Sequence, residues 1–77
     1  MTPQEIFEYK QRWRGNAQSV PIHSDYDWRA KTWCRKHLER HQWSMDTYTD
    51  VYEHTVLFEH QHHAQQFIQE YINDFAQ

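Results

Sequence analysis

The sequence predicts an α+β fold: an N-terminal helix followed by a βαββα core, a split βαβ (ferredoxin-like, incomplete) arrangement with a three-stranded, mainly antiparallel sheet. Three observations carry this. Apolar residues recur at helical spacing in three stretches, period-two or continuous apolar segments fall between them, and capping signals mark where the stretches begin. At 77 residues the chain is a single small domain, 1–77, with no repeat, linker or low-complexity stretch.

The first helix is predicted over about residues 3 to 13. Thr2-Pro3-Gln4-Glu5 is a capping box with Pro at the first helical position, Ile6, Tyr9, Lys10 and Trp13 follow at helical spacing, and Gly15-Asn16 ends it. Ser19-Val20-Pro21-Ile22-His23 then reads as a short strand, which Pro21 assigns to an edge because it has no N–H to give a ladder. A second helix is expected from about 25 to 41, capped by Ser24 or Asp25, with Tyr26, Ala30, Trp33, Cys34, His37, Leu38 and His41 on one face. From Trp43 to Thr49 the period changes to two, and a turn near residues 50–53 precedes the most apolar strand, Thr55-Val56-Leu57-Phe58, expected at the centre of the sheet. Ala64, Phe67, Ile68, Tyr71, Ile72 and Phe75 define a terminal amphipathic helix from about 61 to 75. With the helices on one face of the sheet, the expected core is Ile22, Ala30, Trp33, Leu38, Val56, Phe58, Ala64, Phe67, Ile68, Tyr71 and Ile72.

Thr2-Pro3-Gln4-Glu5-Ile6-Phe7-Glu8-Tyr9-Lys10, Ile22-His23-Ser24-Asp25, Trp33-Cys34, and His41-Gln42-Trp43 through Tyr48-Thr49-Asp50-Val51-Tyr52-Glu53 together resemble small uncharacterised proteins of tailed phages, including marine ones. The resemblance implies a phage origin and a host-cytoplasmic setting. It implies no mechanism.

A mean hydropathy of −1.17 is low for a folded chain, but 17% aromatics supply large apolar areas to bury. Cys34 has no second Cys with which to form a disulfide or a thiolate zinc site, which fits a reducing cytoplasm. Glu5, Glu8 and Lys10 occupy the place of a signal peptide's apolar run, and no apolar stretch is long enough to enter a membrane.

Charge is the most informative feature. All eight Lys and Arg lie in residues 1–42 against five acidic groups, Glu5, Glu8, Asp25, Asp27 and Glu39, a net of +3; residues 43–77 carry six acidic groups and no Lys or Arg, a net of −6. Such opposed halves can pair between copies or steer a charged partner, although solvated helix faces have the same composition. The outward face of the second helix offers Trp28, Arg29, Arg35, Lys36 and Arg40, to which the first helix adds Arg12 and Arg14. Arg and Trp side by side suit a protein interface, and equally phosphate contact with base stacking, though the overall charge of −3 disfavours nucleic acid.

The expected function is therefore a small non-catalytic interaction or accessory factor whose partner is a host or phage macromolecule, with a nucleic-acid-binding module as the alternative. No metal or cofactor is expected. His37 and His41 stand four apart on the predicted helix but lack a third ligand, and His60-Gln61-His62-His63 reads as a solvated turn. No P-loop, nucleotide fingerprint or nucleophile elbow occurs, and Cys34 falls on a buried helix face. Self-association as a homodimer is expected from the small core, the charge halves, and an open sheet face with Thr55, Leu57 and Tyr48 as candidates.

Overall fold

A computed structural model describes residues 1–46, 52–71 and 73. Helix α1 spans Pro3–Arg14. Its capping box is formed: the Glu5 N–H donates to Thr2 Oγ1 at 3.2 Å and the Thr2 N–H donates to Glu5 Oε1 at 3.1 Å, satisfying two otherwise orphaned donors. Gly15 ends the helix as predicted, with a right-handed φ of −67°.

Strands β1 (Gln18–His23), β2 (Trp43–Asp46) and β3 (Glu53–Phe58) form a sheet in the order β1-β3-β2, and both pairings are antiparallel. β1 and β2 therefore run in the same direction on either side of β3, and helix α2 (Asp27–His37) lies in the connection between them, which is the split βαβ arrangement. Pro21 sits on an edge strand, as its missing donor requires. β3 begins earlier than its apolar run, because Glu53 and His54 pair with His23 and Ile22. The predicted extension of β2 to Thr49 and the turn at 50–51 lie outside the described residues.

The register places Val20, Ile22, Trp43, Met45, His54, Val56 and Phe58 on one face. α2 and helix α3 (Gln61–Glu70) pack there and, together with Leu38 just past the end of α2, contribute Ala30, Trp33, Cys34, Ala64 and Phe67 to the core. Phe67 lies 5.3 Å from Trp33 and 5.4 Å from Phe58, centroid to centroid. The opposite face carries Ser19, Pro21, Ser44, Asp46, Thr55 and Leu57. Leu57 is only 7% exposed, so it gives that face no apolar patch, contrary to expectation. Tyr48 lies outside the described residues.

Three further expectations need correction. α2 stops at His37 instead of 41: Leu38 turns extended (φ −127°, ψ 157°) and is itself buried, and a 3₁₀ turn at Arg40–Gln42 follows, with the Glu39 N–H donating to Gln42 Oε1 at 3.0 Å. Ile68 is 39% exposed, because α3 seats a narrow stripe centred on Ala64 and Phe67 and Ile68 falls at its flank. α1 has no buried residue and packs chiefly against the Arg40–Gln42 turn instead of the sheet face, with Trp13 Nε1 donating to the His41 carbonyl at 3.0 Å. Tyr71 is half-buried, while Ile72 and the rest of the predicted last helix beyond Asn73 lie outside the described residues.

Candidate functional site

Helix α2 supplies most of the predicted binding residues, and its packing divides them. Ala30, Trp33 and Cys34 face the core, leaving polar residues on two flanks. One flank meets α3. There Trp28, Arg29, Thr32, Trp33, Lys36, His37 and Glu70 line a recess of about 410 Å³, and Trp33, His37 and Glu70 continue into a second of about 460 Å³ with His62, Gln65, Gln66 and Gln69. The two form one groove along the α2–α3 seam.

Trp28 is 73% exposed at the rim of this groove, a large apolar surface given to solvent by a chain with few such residues to spare. The Thr32 hydroxyl donates to the Trp28 carbonyl at 2.9 Å. Trp33, between the two recesses, is 9% exposed, packs against His37 at 4.7 Å between centroids, and has a buried indole Nε1 with no hydrogen-bond partner among the described residues.

Arg35 and Arg40 do not belong to this groove. They line a different recess, of about 340 Å³, together with Lys10 from α1 and Trp43 at the start of β2. Sequence periodicity put Arg40 on the same helical face as Arg29 and Lys36, but α2 ends three residues before it. Arg12 and Arg14 are exposed in the last turn of α1; of the two, Arg14 lies close enough to Lys10 to disfavour its positive charge. The groove residues Trp33, His37 and Glu70 and the recess residues Lys10 and Trp43 were not legible as site members, because their assembly depends on tertiary packing between distant segments.

Cys34 is buried, and desolvation pushes its thiol up to about 12, so it is neutral and packed. His37 is exposed and His41 half-buried; with α2 ended at His37 they share no helical face. Asp27 lies 3.3 Å from Lys31 and 3.4 Å from His54. His60, His62 and His63 group their rings at the start of α3, with centroids 4.1 to 5.4 Å apart, beside Glu59. Among the described residues no group of three or more His, Cys, Asp or Glu is arranged to hold a metal ion, and no helix is long and apolar enough to cross a membrane. Comparison with protein-family models, curated proteins and solved structures finds no match to this chain.

Proposed function

We propose that the protein is a non-catalytic binding module, phage-encoded and acting in the host cytoplasm, that holds an acidic segment of a partner protein in the α2–α3 groove. The observation that carries this reading is Trp28, 73% exposed at a rim it shares with Arg29 and Lys36. An exposed indole beside cations is the composition of an interface anchor, with the indole taking an apolar side chain and the cations its acidic neighbours. Charge complementarity selects the occupant at the α2 rim, where Arg29 and Lys36 outnumber Glu70. Lys36 has no carboxylate partner among the described residues.

A random Glu/Tyr copolymer is the direct probe. It should bind in low salt with affinity reduced at least about tenfold by Trp28→Ala or Lys36→Glu, both exposed substitutions that leave the far-ultraviolet circular dichroism unchanged. Equal binding by both variants would rule out the groove. Nucleic acid is the second reading, supported by the Lys10, Arg35 and Arg40 group. It is weakened by the separation of these cations from Arg29 and Lys36, which breaks the continuous track that a strand would follow. Mixed-sequence single-stranded DNA distinguishes the readings: affinity above that of the copolymer, falling steeply with log salt, would favour nucleic acid.

A further inference from the structure

We propose that the recess formed by Lys10, Arg35, Arg40 and Trp43 is a binding site for a phosphate group. It shares no residue with the α2–α3 groove and does not rest on the reading of that groove.

Three cations reach this recess from three separate elements, α1, α2 and the Arg40–Gln42 turn. Among the described residues, none of the three has a carboxylate within ion-pair distance. The contrast with Lys31 is informative, since that residue, one helical turn before Arg35, is matched by Asp27 at 3.3 Å. Lys10 is half-buried, with its ammonium 5.5 Å from the centre of the Trp43 ring. Burial first, then the neighbouring Arg40 and Arg14, push Lys10 below its ordinary value.

Like charges held together in a partly desolvated recess oppose folding unless an anion completes the set. The charge count favours a dianion over a carboxylate, which would neutralise only one cation. Guanidinium groups also offer paired N–H donors matched to phosphate oxygens, with the ammonium acting as a point charge. The volume, about 340 Å³, accommodates a phosphate together with part of the group that carries it, with the Trp43 indole as the apolar wall.

The experiment is thermal unfolding of the full chain in sodium phosphate and in sodium chloride at matched ionic strength, for the wild type, Arg40→Gln and Arg35→Gln. Both arginines are exposed, so neither substitution removes core packing. Phosphate should raise the wild-type midpoint in a concentration-dependent way. In chloride each variant should melt above the wild type, because a repulsive charge is gone, and each should lose at least about tenfold in apparent phosphate affinity. A general salting-out effect of phosphate would persist in the variants. A midpoint increment equal in all three proteins, or absent from the wild type, overturns the site.

Three further ligands locate the source of the phosphate. Nucleoside 5′-monophosphate binding as tightly as a 5′-phosphorylated oligonucleotide assigns the pocket to a small ligand. Preference for that oligonucleotide over its 5′-hydroxyl counterpart, beyond the monophosphate, assigns it to a strand end. Equal binding of the two oligonucleotides with no response to phosphate overturns the proposal in favour of diffuse backbone contact.

Discussion

Phe67 is fully buried against Trp33, Phe58 and Tyr71 and joins α3 to α2 and the sheet. Removing its ring leaves a cavity that three aromatic neighbours cannot collapse into, so Phe67→Ala should cost about 3 to 5 kcal/mol, most of the stability of so small a domain. Ile68→Ala, one position on and 39% exposed, should cost less than about 1.5 kcal/mol. Urea denaturation of the pair measures the difference, and equal losses would mean that α3 is rotated from the orientation described. The sequence placed both residues in the core because helical spacing identifies a stripe but not its width. The width is set by what the helix lies against. Cys34 gives a second residue-scale expectation: with its thiol pushed up to about 12 by burial, it should react with a disulfide reagent only as fast as the chain opens.

At the scale of elements, the histidine group at the start of α3 ties stability to pH. Burial, then His62 and His60, hold His63 below its ordinary imidazole value of 6.5, against the opposing pull of Glu59. A base lowered in the folded state leaves the unfolded chain as the better proton acceptor. Stability is therefore full above the unfolded value and lost as the pH falls through it toward the lowered folded one. The urea midpoint should decline between about pH 7 and pH 5.5, and less steeply in His63→Gln. A flat profile in the wild type would contradict the arrangement of these rings. The histidines are close in the sequence, where they read as a solvated turn. Their grouping comes from the extended His60 folding its ring back over the first turn of α3. α2 teaches a similar lesson. The apolar spacing from Tyr26 to His41 is unbroken, and no Gly or Pro marks the stop, so periodicity alone ran the helix four residues too far. Glu39 and Gln42, which brace the turn, form a capping pair without the usual Ser, Thr, Asp or Asn at its head.

For the whole molecule, the opposed charges of the two halves remain the strongest reason to expect self-association, and the structure changes the surface through which it would occur. With Leu57 buried and Ser44, Asp46 and Thr55 half-buried, the sheet face opposite the core is not open, and its exposed part, Ser19 and Pro21, offers little apolar area to a second copy. Association driven by charge should be screened by salt, association driven by apolar area should not. Light scattering at micromolar concentration should therefore show a dimer at low salt that gives way to a mass near 9.7 kDa at high salt. A monomer at every salt concentration would remove the dimer, and a dimer indifferent to salt would place the contact elsewhere. The fold class was legible because strand order follows from burial: the most apolar strand takes the centre. The binding surfaces were legible only as a list of residue types, since their division into two recesses depends on where α2 stops and on where α1 docks.

Every ladder of the sheet is made to β3, the last strand among the described residues, while β1 and β2 flank it without pairing with each other. A nascent chain that has reached residue 52 thus holds two strands with no partner; the β2–β3 pairing of Asp46 with Thr55 then closes only a short loop, whereas the β1–β3 ladder, from His23 with Glu53 to Gln18 with Phe58, must close a long one. The sheet therefore cannot begin to form until β3 has been made, and docking β1 onto it is the non-local step that should set the folding rate. A fragment of residues 1–52 should retain at most helical signal and bind no better than an unfolded chain, because α2 without β3 has nothing to hold Trp33 against.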